Sequence, residues 1–153
     1  MEDWRRIDID AFDPDSGRLN VEDLKPPYEA TISLAELEPK ISQLRSAATS
    51  GDFATALQLL TSDPPYSADE TAKARYFEAV LSVLTQVRQA EIASLIKQLS
   101  STQIDVLIKY LYKGMSVPDG QKQGGILLSW FEKLTQNSGV APVVRYLSDR
   151  NTV

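Results

Sequence analysis

One spacing of apolar residues recurs six times after residue 50 of this 153-residue chain. Each time, apolar residues stand at positions i, i+3, i+4 and i+7. The six sets are Phe53, Ala56, Leu57, Leu60; Phe77, Val80, Leu81, Leu84; Ile92, Leu95, Ile96, Leu99; Ile104, Leu107, Ile108, Leu111; Leu127, Trp130, Phe131, Leu134; and Val140, Val143, Val144, Leu147. This spacing places four apolar side chains on one stripe of an α-helix, so each helix must bury that stripe against a neighbour. The pattern therefore predicts an all-α body of packed amphipathic helices.

Capping and breaking residues divide this body into about seven helices. The first is predicted to begin at or just before Pro39 and to end at Gly51. Capping boxes at residues 67–70 and 100–103 open the third and fifth helices, and Gly114 is expected to end the fifth in the left-handed conformation. Short connectors favour antiparallel neighbours, arranged as an α-α superhelix or an irregular antiparallel bundle.

The first 38 residues lack the helical pattern and differ in charge from the rest. Residues 1–38 contain eleven acidic and four basic residues, a net charge of −7, whereas residues 39–153 carry a net charge of +2. Apolar and charged residues alternate from Ile7 to Asp10, which is typical of an extended segment. The sequence thus predicts an acidic, extended N-terminal arm and spacer over residues 1–38 and a helical body over residues 39–153.

Composition excludes several classes of function. The chain has no cysteine and no histidine, which removes thiol nucleophiles, imidazole acid–base chemistry and Cys/His zinc sites. Most common enzyme mechanisms are thereby excluded, and we expect no enzyme activity, no catalytic residue and no metal site. The acidic arm and the dispersed cations of the body argue against nucleic-acid binding, and no run approaches the roughly 20 apolar residues of a membrane span. Residues 1–6 show no signal peptide, so a cytosolic location is expected.

Two groups of residues are candidate partner contacts. In the arm, Trp4, Ile7, Ile9 and Phe12 are large apolar anchors among acidic residues, which a short tail cannot bury by itself. They favour docking on another protein, although folding of the tail back over its own body remains an alternative.

The second group follows the apolar stripe of the fifth helix. Lys109, Tyr110, Tyr112 and Lys113 occupy the remaining faces of that helix, and tyrosine is favoured at protein interfaces. A docking surface and ordinary packing at the rim of the core are both compatible with this pattern. In the next helix Trp130 and Phe131 diverge by about 100°, so one is expected in the core and the other at the rim or on a partner.

Four blocks of this sequence, in order, resemble a known family. Residues 4–12 resemble the aromatic-Arg-basic-aliphatic-Asp-aliphatic-Asp start of the small, 16-kilodalton subunit of the actin-related protein 2/3 complex, also called subunit 5. Residues 104–114 look like the most recognisable helix of that family, residues 127–133 like its following helix, and residues 139–153 like its C-terminus. The resemblance spans nearly the whole chain.

The resemblance implies a noncatalytic subunit of a seven-subunit assembly that nucleates branched actin filaments. In that family the helical body docks on scaffold subunits, chiefly the 20-kilodalton subunit and the β-propeller subunit. The N-terminal arm tethers one of the two actin-related subunits, which themselves hold the nucleotide, so no cofactor is expected here. The implied location is the actin cytoskeleton of the cytoplasm.

On this hypothesis the arm residues that bind the partner are Trp4, Arg5, Arg6, Ile7, Asp8, Ile9, Asp10 and Phe12. The apolar residues would enter pockets on the actin-related subunit, and the charged residues would set the register. The alternative is a free-standing helical adaptor that binds peptides in a superhelical groove, with the acidic tail as an autoinhibitory strand.

Overall fold

The computed structural model describes residues 28–153. Over that range the chain forms eight helices: α1 (Leu34–Ser50), α2 (Phe53–Ser62), α3 (Glu70–Gln86), α4 (Gln89–Ile96), α5 (Ser101–Ser116), α6 (Pro118–Gln121), α7 (Gly124–Ser138) and α8 (Ala141–Ser148). The all-α prediction is confirmed. The eighth helix arises because the expected connector after α5 forms one helical turn, α6.

The bundle is irregular and α5 lies at its centre. This helix packs against α2, α3, α6, α7 and α8, while α1 packs against α2 and α3, and α4 packs against α7. In five of the six predicted stripes every residue is buried or half-buried. Trp130 on α7 is fully buried, and its indole Nε1 donates to the main-chain oxygen of Leu84, 3.0 Å away. Phe131 is half-buried, so the predicted division between Trp130 and Phe131 is confirmed.

Four of the eight described helices begin at a polar cap, namely α1 at Ser33, α2 at Asp52, α3 at Asp69 and α5 at Ser100. At α5 the predicted capping box is present, because Ser100 N donates to Gln103 Oε1 at 2.9 Å and Gln103 N donates to Ser100 Oγ at 3.3 Å. The capping box predicted at Ser67 is wrong. The cap of α3 is Asp69, whose carboxylate accepts from Ala72 N at 2.7 Å. Ser67 instead lies in a turn before α3, where its carbonyl accepts from two amides of the segment before α1.

Helix α1 begins at Leu34, five residues before the predicted start at Pro39. Ser33 N donates to Glu36 Oε2 at 3.0 Å, which stabilises the first turn, and Leu37 is buried in the core. Pro39 lacks an amide to donate back along the helix, but it stands on the exposed side, where water can reach the unpaired carbonyl. Residues 34–38, which the sequence assigns to the arm, are therefore helical.

Gly114 does not end α5, which continues to Ser116. Gly114 is buried, and only close packing requires its small size. A Cβ on Gly114 would lie 2.8 Å from Leu127 Cδ1, and a Cβ on Gly120 would lie 2.0 Å from the Gly114 carbonyl oxygen. The end of α1 predicted at Gly51 is confirmed, and Gly51 caps the helix in the left-handed conformation, with φ of 78°.

The arm residues predicted to bind a partner, Trp4 to Phe12, lie outside the described residues. Within residues 28–153 no helix is long and apolar enough to cross a bilayer. The same part of the chain holds no group of three His, Cys, Asp or Glu side chains placed to bind a metal ion.

Candidate docking surface

Three large apolar side chains on α8 and at its N-cap face solvent. Val140, which immediately precedes α8, is 71% exposed, Val144 is 60% exposed and Leu147 is 77% exposed. Only Val143 of the predicted stripe packs against the core. The prediction that α8 buries this stripe within its own bundle is therefore wrong for three of the four residues. We call Val140, Val144 and Leu147 the outer stripe.

The opposite face of α8 holds the helix on the bundle, and this is why the outer stripe points away. Pro142 is buried, and the ring of Tyr146 stacks on Tyr112 with centroids 4.4 Å apart and planes 8° apart. Arg145 donates two hydrogen bonds of 2.7 Å to the carboxylate of Asp105 on α5. Aromatic stacking and a bidentate ion pair fix the rotation of α8 about its axis.

A groove of about 730 Å³ lies beside the outer stripe, between α5, α8 and the C-terminal tail (residues 149–153). Tyr112 and Tyr146 line it with aromatic surface, Leu147 lies at α8, and Lys109 and Lys113 line it from α5. The remaining lining residues are Glu70 of α3, Ser116 of α5, and Asp149, Asn151, Thr152 and Val153 of the tail. An apolar stripe next to an aromatic groove with paired charges is typical of a protein interface.

Lys109 on α5 forms an ion pair with Asp149 at the start of the tail. Its side chain is 4% exposed, and its Nζ pairs with Asp149 Oδ2 at 2.5 Å and donates to Tyr66 Oη at 2.9 Å. Burial alone would lower the pKa of Lys109, but the bonds to Asp149 and Tyr66 outweigh it and raise that pKa. For Asp149, burial alone would raise the pKa. The bonds to Lys109 and Asn151 outweigh burial, and the pKa of Asp149 is lowered below its usual value. The pair joins a buried lysine to an exposed aspartate, and the contact between them favours the charged form of both groups.

Two more lysines hold the end of the tail. Lys113 donates to the main-chain oxygen of Val153, and burial is the main reason that the pKa of Lys113 is lowered. Lys73 on α3 is 3% exposed and donates to Tyr28 Oη and Thr152 Oγ1, each at 3.2 Å. The tail is thus attached to both α3 and α5.

The four residues of α5 that the sequence proposed for docking have different environments. Tyr110 is 1% exposed and packs between Tyr76 and Phe77, so it belongs to the core of the free chain. Tyr112 and Lys113 are half-buried and line the groove; Lys109 reaches it through a buried side chain. Of the two interpretations of these residues, a docking surface or packing with the core, Tyr110 fits packing with the core. Burial of α5 on several sides leaves it no free face of its own.

The outer stripe is the part of this surface that sequence reasoning missed. Its signal is the same apolar spacing that marks the other helices, and the spacing does not distinguish a stripe facing the core from one facing solvent. What separates them here is the second apolar and aromatic face of α8, formed by Pro142, Val143 and Tyr146, which packs inward instead.

Comparison with known proteins covers nearly the whole chain. A family described as ARP2/3 complex 16 kDa subunit (p16-Arc) matches residues 3–153. The chain is 68% identical over 151 residues to actin-related protein 2/3 complex subunit 5 of Saccharomyces cerevisiae, an alignment that covers 99% of this chain and 98% of the yeast protein. It is 32% identical over 151 residues to the human subunit 5-like protein, with 98% of this chain and 94% of that protein covered. It is 30% identical over 151 residues to subunit 5-C of Xenopus laevis, with 98% of this chain and 94% of that protein covered.

Proposed function

This chain belongs to the family of ARP2/3 complex 16 kDa subunits, and we propose that its body docks on scaffold subunits of that complex while its arm tethers an actin-related subunit. The family makes the chain a structural subunit of the complex. The observation that carries the docking proposal is the outer stripe of α8, three large apolar side chains that are each more than half exposed.

The outer stripe supplies affinity for the scaffold. Fully burying a Val or Leu side chain at an interface stabilises it by roughly 1.5–3 kcal/mol. Leu147 has the most to gain, since 77% of it faces solvent in the free chain, and it also lines the groove beside α8. The proposed partners of this face are the 20-kilodalton and β-propeller subunits.

The arm supplies a second, weaker contact. Trp4, Ile7, Ile9 and Phe12 are the proposed anchors, with the neighbouring charges setting the register. The spacer keeps these anchors at a high effective concentration near the actin-related subunit once the body has docked. Such a tether stabilises the complex in actin nucleation without performing chemistry, in the actin cytoskeleton of the cytoplasm.

Docking is tested with one substitution and a matched control. Leu147→Asp places a charge in the proposed interface and should weaken binding to complex lacking this subunit by about tenfold or more, equivalent to about 1.4 kcal/mol. The control is Leu59→Asp, because Leu59 on α2 is also a large apolar residue exposed to solvent, at 39%, and it lines a separate groove. Equal binding by the Leu147 variant and the wild-type chain would refute docking through α8.

The tether is tested by deletion of residues 1–12. The shortened chain should bind the scaffold normally, while the actin-related subunit dissociates faster and branched nucleation falls in a pyrene–actin assay. Unchanged retention of that subunit would refute the tether.

The groove beside α8 also fits the alternative of a free-standing adaptor that binds peptides. The two functions predict different elution sizes when the protein is purified from native extract. An adaptor elutes as a monomer of 17.0 kDa, whereas a structural subunit elutes with several other chains.

A further inference from the structure

The hydroxyl of Tyr28 bridges the beginning of the described chain and its C-terminal tail. Its Oη lies 2.8 Å from Thr152 Oγ1 and accepts from Thr152 N at 3.1 Å and from Lys73 Nζ at 3.2 Å. The Tyr28 ring stacks on Tyr66 with centroids 6.3 Å apart. Burial alone would raise the pKa of Tyr28, but the bonds to Thr152 and Lys73 outweigh it and lower that pKa.

Thr152 directs its amide, its hydroxyl and its carbonyl toward Tyr28. The carbonyl oxygen accepts from Tyr28 Oη at 3.2 Å, and the hydroxyl also accepts from Lys73. One residue later the Val153 side chain is buried. Asn151, Thr152 and Val153 line the groove beside α8, which we call the docking groove. The contacts that hold Thr152 in place therefore also hold this side of the groove.

We propose that Tyr28 is a positioning residue for the docking groove: it holds residues 151–153 in place and so couples the root of the arm to the surface that binds the scaffold. The proposal rests on docking through α8 and its groove. It places the functional boundary between arm and body at residue 28, within the segment that composition alone assigns to the arm.

Removal of the Tyr28 hydroxyl affects the hydrogen bonds of Thr152 more than those of Lys73. Lys73 retains Thr152 Oγ1 at 3.2 Å and Glu70 Oε1 at 3.7 Å. The amide of Thr152 loses its acceptor, and the tail loses its bonds to the segment that precedes α1. Since α3 holds Lys73 rigidly and the tail is only five residues long, the tail is the part that moves.

The first test measures the tail in the full-length chain by NMR hydrogen exchange. In Tyr28→Phe, which keeps the stacked ring, and in Tyr28→Ala, the Thr152 amide should exchange about tenfold faster than in the wild-type chain. The control is Glu29→Ala, a change at the exposed neighbouring residue, and deletion of residues 1–27 is a second control. Both controls should leave Thr152 exchange within about twofold of wild type. Unchanged exchange in Tyr28→Ala would overturn the proposal.

The second test measures affinity for complex lacking this subunit. Tyr28→Ala should bind about fivefold more weakly, and deletion of residues 1–27 should bind the scaffold normally. Thr152→Ser, which retains the hydroxyl, should bind like the wild-type chain, whereas Thr152→Val should bind like Tyr28→Ala.

The two proposals fail separately. Normal binding by Leu147→Asp refutes the docking surface itself. Weak binding by Leu147→Asp together with normal binding by Tyr28→Ala refutes only the positioning role of Tyr28.

Discussion

Three glycines of the α5–α6–α7 region provide a graded test of the packing. A Cβ at Gly120 would lie 2.0 Å from the carbonyl oxygen of Gly114 and 2.7 Å from its Cα, so its neighbours are main-chain atoms. A Cβ at Gly114 would lie 2.8 Å from a methyl carbon of Leu127, the far end of a flexible side chain. A Cβ at Gly125 would meet no atom within 4 Å.

These distances set the expected free energies of unfolding. In Gly120→Ala, main chain must retreat from main chain by more than about 1 Å, and overpacking of this kind destabilises by about 3 kcal/mol. In Gly114→Ala, Leu127 can give way in part, and the gain of about 1 kcal/mol in helix propensity leaves a net loss near 1 kcal/mol. In Gly125→Ala, only the propensity gain remains, which stabilises by about 0.5 kcal/mol in the first turn of α7.

Urea unfolding at constant temperature and pH, followed by far-ultraviolet circular dichroism, measures all three variants. The expected order of stability is Gly125→Ala, wild type, Gly114→Ala, Gly120→Ala. A Gly120→Ala variant within about 0.5 kcal/mol of the wild-type chain would refute the argument that α6 lies in backbone contact with α5.

Three further predictions concern a buried hydrogen bond, a helix cap and an ion pair. Trp130→Phe leaves the Leu84 carbonyl, in the last turn of α3, without its indole donor and should lower the free energy of unfolding by about 2 kcal/mol in the same assay. Ser100→Ala removes the cap of α5 and should cost about 1 kcal/mol, whereas an unchanged midpoint would count against the capping box. The pKa of Asp149 is lowered in the folded chain, so its pair with Lys109 stabilises the fold above the unfolded pKa of about 3.9, and that stability is lost as pH falls through the folded pKa. Between about pH 5 and pH 3, acid titrations should therefore show a smaller loss of stability in Asp149→Asn than in the wild-type chain; parallel curves would contradict the pair.

The apolar spacing was sufficient to predict the helices that form the core. At α2, α3, α4, α5 and α7 the side chains of the stripe pack inward, because each of these helices has one apolar face and neighbours on that side. The cap at Ser100 and the end of α1 at Gly51 were predictable for a related reason, since both depend on a few adjacent residues.

Features set by tertiary contacts were not predictable in this way. Tyr110 has an amphipathic side chain suited to an interface, but α5 is surrounded on several sides and takes it into the core. Gly114 was interpreted as a helix end, whereas its small size serves the approach of α6 and α7. Pro39 was placed in the first turn, but the buried Leu37 and the cap at Ser33 extend α1 ahead of it.

The candidate docking surface also depends on tertiary contacts. Helix α8 has two faces with apolar residues, and the contacts of Tyr146 and Arg145 with α5 decide which of them is covered. The bridge from Tyr28 to Thr152 joins residues 124 positions apart, and no local pattern in the sequence predicts it.

Side-chain footprinting by carbene labelling and mass spectrometry tests the central claim most directly. The measurement compares Val140, Val144 and Leu147 in the isolated chain and in the purified ARP2/3 complex. All three should be labelled in the isolated chain, where each is at least 60% exposed, and should lose most of that labelling in the complex. Equal labelling in the two states would contradict docking through α8.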